Sequence, residues 1–197
     1  MNHFNLVTFL TSNLNLAEED ILSIQNNCMV KEYAKGTFLL RQNEFCQHSF
    51  FVEKGLLRQY AVDEKGKEHI LYFAPESWIV TDRESVFFRQ PSQYYIQALE
   101  PTQVALIDDA LIKKLEQAFP AFRDFNNLML HNHIRALQNR IIMLMSQNAE
   151  ERYLQFIKTY PDILLRVPQT MVASYLGITP ESLSRVRKDL AAKNFNP

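Results

Sequence analysis

Gln169–Leu190, QTMVASYLGITPESLSRVRKDL, decides the reading of the whole chain. Its spacing predicts two short helices joined by a tight turn. The first runs from about Gln169 to Leu176. Gly177 follows it, where a left-handed residue costs least. Thr179 offers a hydroxyl to cap the next helix, and Pro180 suits the first helical position, where no amide donor is needed. Leu183, Val186 and Leu190 recur at i, i+3 and i+7, a face to bury against Val172, Ala173, Leu176 and Ile178. Glu181, Ser184, Arg185 and Lys188 fall on one polar stripe. A second helix with a packed back and a hydrogen-bonding front is what the major groove admits. Any amphipathic helical hairpin shares that pattern. Small Ala173 at the closest approach, then Gly177, Ile178 and the apolar 183 and 186, narrow it to a helix-turn-helix.

Upstream, Glu150–Tyr160, EERYLQFIKTY, reads as another helix, stopped by Pro161, and Asp162–Val167 leads through Pro168 into the helix pair. A hinge is expected near Ser146–Ala149. Before it, a helix from Pro120 to about Asn148 carries Leu130, Ile134, Leu137, Ile141 and Leu144, alternating by four and three residues. That is a seam of about two heptads, suited to a twin helix from a second copy, the alternative being a helix buried within its own monomer. Phe122, Phe125, Met129, Ile142 and Met145 add a second apolar face, so the helix should be covered on two sides. A shorter helix spans Asp108–Phe119. The N-terminal stretch to Asn27 also reads as helical, with Asn15 as a cap and Glu18 three residues on.

Between Cys28 and Asp108 the texture is that of short strands. CMVKEYA, TFLLRQ, HSFFVEKG, LLRQYAVD, EHILYFA, YYIQAL and QVALID are rich in branched and aromatic residues and separated by turn signals. About seven or eight such strands imply a sandwich or roll. Asp63–Glu68, DEKGKE, reads as a charged hairpin tip. Pro75–Gln93 lacks alternation and should hold a short helix; a loop of this kind is either a ligand site or a packed connection. The glycines before Gly177 all sit at turns, so no phosphate-cradling loop is present.

The 197 residues carry a net charge of −1, which argues against a protein coated in nucleic acid. From Ile163 onward, however, five cations (Arg166, Arg185, Arg187, Lys188, Lys193) face two anions (Glu181, Asp189), a net +3. A local basic patch on a neutral protein suits a compact DNA reader. Cys28 and Cys46 read as reduced thiols, small apolar residues in strands, and two cannot supply a four-thiolate cluster. The N-terminus MNHFNLVTFL lacks the features of a signal peptide, and no apolar run reaches the length of a membrane span, so a cytoplasmic protein is expected.

A β-rich half, a long apolar helix and then a helix-turn-helix resembles the Crp/Fnr family of bacterial transcription regulators over nearly the whole chain. The strongest run is Ala149–Lys188, AEERYLQFIKTYPDILLRVPQTMVASYLGITPESLSRVRK, which is similar to short Crp/Fnr regulators of Bacteroidetes-type bacteria. The resemblance implies an α+β architecture: a β-roll of the cyclic-nucleotide-binding, jelly-roll kind over 1–119, a dimerisation helix over 120–148, and an all-α helix-turn-helix domain over 149–197. No wing hairpin is evident after Leu190. In the family, a Glu and an Arg four apart on the recognition helix contact bases, and these match Glu181 and Arg185. With Ser184 they form an E-x-x-S-R pattern similar to the branch reading TTGAT-like half-sites. The chemistry agrees, since Arg bonds guanine O6 and N7 and Glu accepts from cytosine N4. Thr179, Arg187 and Lys188 suit phosphates, which position without specifying. The Arg that often precedes the family's Glu is Pro180 here.

Cyclic-AMP binders of the family carry Gly-Glu for the ribose and Arg-Ser for the cyclic phosphate. Here the corresponding stretches read WIVT (Trp78–Thr81) and PSQY (Pro91–Tyr94). A buried phosphate needs a cation, which Ser92 and Gln93 do not provide. Arg83 and Arg89 lie nearby but off the motif. The candidate effector loop is therefore Trp78, Thr81, Arg83, Arg89, Ser92 and Gln93, with cyclic AMP not expected as the effector and no cofactor implied.

The expected function is a homodimeric regulator on a pseudo-palindromic site in double-stranded DNA. RNA polymerase and a small-molecule effector are candidate further partners, and a membrane is not. The alternative is a sensing or scaffold module that has lost sequence-specific reading. An enzyme is not expected. His131 and His133 are two apart and so on different helix faces, His3, His48 and His69 are scattered, and neither G-x-S-x-G nor H-E-x-x-H occurs.

Overall fold

The alternating stretches from Met29 to Ile107 pair into two antiparallel sheets of four strands each. One has the order β1 (Met29–Tyr33), β8 (Thr102–Ile107), β3 (Ser49–Lys54), β6 (Ile79–Val80). The other runs β2 (Phe38–Leu40), β7 (Tyr95–Ala98), β4 (Leu57–Val62), β5 (Glu68–Ala74). Neighbours are mostly distant in sequence: Met29 faces Leu106, Ser49 faces Ile107, and Leu57 faces Ala98. The computed structural model describes residues 5–195. Residues up to Val62 and Leu71–Leu130 form one compact unit; Asp63–Ile70 and the chain from His131 onward form the other.

In the first unit the inward residues of both sheets, among them Phe50, Val52, Leu57, Ile96, Ala98 and Val104, make a dry core. Each fully buried aliphatic side chain contributes about 2 kcal/mol. The β3–β4 turn requires Gly55. Its φ is +96°, and an added Cβ would lie 2.6 Å from both the Pro101 carbonyl and the Thr102 hydroxyl oxygens. A second apolar cluster joins α1 (Leu6–Asn13), α2 (Glu18–Asn27), α4 (Asp109–Ala118) and the start of α5 (Pro120–Ser146) through Leu6, Leu10, Ile24, Leu111, Leu115 and Phe122. Asp108 caps α4 by accepting the Leu111 amide at 2.8 Å.

Several expectations need correction. The N-terminal stretch is two helices, and Asn15 caps neither. Asn5 caps α1, accepting the Thr8 amide at 2.7 Å, and the Asp20 carboxylate accepts the Ala17 amide at the start of α2. Leu14, buried in the core, lies at the break between them. Residues 1–4 of the expected helix, with His3, lie outside the described residues. Neither cysteine is in a strand: Cys28 ends α2 and Cys46 lies between β2 and β3. The short helix expected within Pro75–Gln93 is α3 (Arg83–Phe88), and the same segment also supplies β6.

The second unit holds α6 (Ala149–Thr159), α7 (Ile163–Arg166), α8 (Gln169–Leu176) and α9 (Pro180–Phe195). Asn148 starts α6 with a capping box: its side chain accepts the Glu151 amide at 3.0 Å, and Glu151 accepts the Asn148 amide at 2.9 Å. Phe156, Tyr160 and Tyr175 form a ring cluster with centroids 5.2 to 5.6 Å apart. Ile163, Val172, Leu176 and Leu183 complete this core, each fully buried. On α5, Ile134, Leu137, Ile141 and Leu144 are exposed and Leu130 is half-buried. The second apolar face expected there is split: Phe122 is buried, whereas Ile142 and Met145 are exposed, at 61% and 79%. Among the described residues, no helix is long and apolar enough to cross a membrane.

Candidate nucleic-acid interface

The helix pair forms as its local chemistry dictates. Gly177 ends α8 in the left-handed conformation, φ +67°. Its amide bonds back to Ser174, and the Ile178 amide bonds to the Ala173 carbonyl at 3.1 Å, closing the helix end. The Thr179 hydroxyl accepts the Ser182 amide at 3.2 Å, and Pro180 opens α9. Leu183 is fully buried while Val186 and Leu190 are half-buried, so the back of α9 is fixed.

That leaves Glu181, Ser184, Arg185, Arg187 and Lys188 exposed along the helix. Glu181, Ser184, Arg185 and Lys188 share one face by their spacing, and none of the four is drawn into the core. The Glu181 carboxyl is held below the usual carboxylate range by hydrogen bonds from its own backbone amide and the Thr179 hydroxyl. It therefore presents an ionised acceptor beside the positive end of the helix. Thr179 is also exposed, but its hydroxyl already serves as the cap and pairs with Ser182 Oγ at 3.2 Å. Lys193 is paired with Glu150 at 2.8 Å, which ties the far end of α9 to α6.

The candidate effector loop does not converge. Ser92 is buried, its hydroxyl bonded to the Tyr94 carbonyl and its backbone paired with Asn43 and Glu44. Thr81 is half-buried, with its carbonyl 3.5 Å from Gln59 Nε2. Trp78 and Gln93 are exposed, and Arg83 is half-buried over the Phe87 ring. Arg89 ends α3 in the left-handed conformation and lines an open cleft of about 450 Å³ with Phe45, Cys46, Ser85, Asp108 and Asp109.

Two polar features escaped the sequence reading. Asp82 is buried and caps α3, accepting the amides of Glu84 and Ser85 at 3.1 and 3.3 Å. Arg58 is buried in β4, chelating Gln97 Oε1 at 3.0 and 2.7 Å and stacking 4.0 Å from the Tyr60 ring. A carboxylate followed by two amide donors is a cap signal in principle, but Asp82 sits in a stretch with no helical period to announce it. Among the described residues, no group of three or more His, Cys, Asp or Glu side chains is placed to hold a metal ion.

Residues 30–118 match the family model described as a cyclic nucleotide-binding domain. Over 167 aligned residues the chain is 25% identical to electron transport regulator A of Shewanella oneidensis, covering 79% of this chain and 66% of that one. The same identity and coverage hold for the fumarate and nitrate reduction regulatory protein of Vibrio cholerae. FixK2 of Bradyrhizobium japonicum superposes with a TM-score of 0.73 at 18% identity, over 85% of this chain and 86% of that one. The chain is thus similar to transcription regulators of the Crp/Fnr type. The chain spans 66% of the length of these curated relatives. Its α+β architecture, a jelly-roll-like N-terminal half followed by a long helix and a helical C-terminal half, is the fold it shares with FixK2.

Proposed function

We propose that this chain is a cytoplasmic homodimeric regulator of the Crp/Fnr type that reads a pseudo-palindromic site in double-stranded DNA through α9. The observation that carries the reading is the state of that helix: Leu183 is buried behind it, Thr179 caps it, and Glu181, Ser184 and Arg185 stand exposed in front. Arg185 then addresses a guanine and Glu181 a cytosine amino group, while Arg187 and Lys188 meet phosphates. The exposed row Ile134, Leu137, Ile141 and Leu144 supports a second copy as the cover of α5, since an apolar seam at heptad spacing is unfavourable in water. Two reading helices about one DNA turn apart, about 34 Å, would follow.

Cyclic AMP is not the effector in this reading. The carboxylate of Asp82 already occupies the amides at the start of α3, and the nearest guanidinium in β4, Arg58, is spent on Gln97. An incoming phosphate at the start of α3 would meet the buried Asp82 carboxylate, which already takes those amides. Selection of bound sequences from random duplexes tests the function. An inverted repeat is expected; recovery of no motif at moderate salt would leave a sensing or scaffold module instead.

A further inference from the structure

The tip of the β4–β5 hairpin, Asp63–Ile70, belongs to the same compact unit as the helix-turn-helix. Ser174 on α8 donates its hydroxyl to the Glu68 carbonyl at 2.8 Å and accepts the Ile70 amide at 3.1 Å. A hydroxyl is able to do both at once, which no apolar side chain can. Arg140 on α5 donates through Nη2 to the carbonyls of Ile70, at 3.1 Å, and Tyr175, at 2.8 Å. Its guanidinium also lies 3.8 Å from the Tyr175 ring centroid. Its Nη1 is buried without a hydrogen-bond partner. Holding the guanidinium here with Nη1 unmet is a cost that simple packing does not require.

The tip is itself stiff. Asp63 Oδ1 accepts the amides of Lys65 and Lys67, each at 2.9 Å, and Oδ2 meets His69 Nε2 at 2.8 Å. Those contacts hold the carboxyl of Asp63 below its ordinary range. That tip is held to α8 by one side chain, Ser174, which lies 104 residues from Ile70 and 106 from Glu68 in sequence. Leu176 on α8 and Leu183 on α9 are both fully buried, and the two helices pack against each other.

We propose that the hairpin tip is a working part of the DNA reader, with Ser174 and Arg140 as the positioning residues that fix the pitch of α9. The inference rests on the DNA-reading role proposed above.

The test compares wild type, Ser174→Thr and Ser174→Val in the full chain. Thr and Val fill the same volume, so only the hydroxyl differs. Affinity is measured on the selected site and on a random duplex, and exchange of the Ile70 amide is followed by NMR. Ser174→Thr should bind the site like wild type. Ser174→Val should bind it about tenfold more weakly, with random-duplex affinity unchanged and the Ile70 amide exchanging faster. If wild type enriches no motif, the DNA-reading role falls and the inference with it. If wild type enriches one and Ser174→Val binds it as tightly as Ser174→Thr, the inference alone falls.

Discussion

The guanidinium of Arg152 donates to the carbonyl of Leu176 at 3.0 Å, joining α6 to the last turn of α8. The same side chain reaches the Gln147 carbonyl at 2.9 Å and the Leu144 carbonyl at 2.8 Å. One cation therefore satisfies carbonyls at two helix ends and at the junction near Ser146–Ala149, where a hinge was expected. Arg152→Ala should destabilise the helical unit by about 2–3 kcal/mol, since hydrogen bonds from charged groups are the stronger kind and three carbonyls lose a donor. Urea unfolding followed by tyrosine fluorescence measures this. Arg152→Lys should recover part of the loss, because one ammonium cannot span three carbonyls.

The α5 seam gives a second prediction. Ile141 is 56% exposed, so Ile141→Glu should leave the single chain folded. It should convert a dimer to a monomer in sedimentation and weaken binding to the palindrome by roughly 100-fold, because the second half-site no longer benefits from a tethered partner. A variant that remains dimeric would place the interface elsewhere.

Burial pushes the Cys28 thiol up to about 11, with Glu53 adding to the shift, and raises Cys46 as well. At neutral pH, Cys28 should hold about 100-fold less thiolate than an ordinary cysteine and alkylate correspondingly slowly. The sign for stability follows from the same shift. The folded state keeps its proton while the unfolded chain has lost it, so this contribution is complete below the ordinary thiol range. It is lost as pH rises through about 11. Cys28→Ala should therefore lose less stability than wild type between neutral and strongly alkaline pH in urea titrations.

Specific and non-specific contacts on α9 should separate. Lys188→Ala should weaken binding to all sequences and lower the salt dependence by about one counterion. Glu181→Ala should cost about 1–3 kcal/mol on the selected site only and relax selection at one base pair.

How much of this was legible depended on the range of the signal. Gly177, Thr179 and Pro180 mark their turn by conformational preferences that act within a few residues, so α8 and α9 were readable. The strand stretches announced themselves by alternation. Their pairing did not, because Met29 opposite Leu106 is a contact between ends of a long segment. The roles of Ser174, Arg140 and Arg152 were invisible for the same reason, since their partners are main-chain groups with no side-chain signature. The Asp82 cap was missed because α3 is only six residues long and has no apolar period. The break between α1 and α2 was missed because Leu14 continues the four-residue spacing of Leu6 and Leu10 although its backbone is extended.

In the proposed complex, Arg185 reads a guanine. Methylation interference on the selected site tests it directly, since a methyl group on guanine N7 blocks the acceptor that a guanidinium would use. The account predicts one guanine per half-site whose methylation abolishes binding of wild type but makes no further difference to Arg185→Ala. An interference pattern that is the same for both proteins would contradict it.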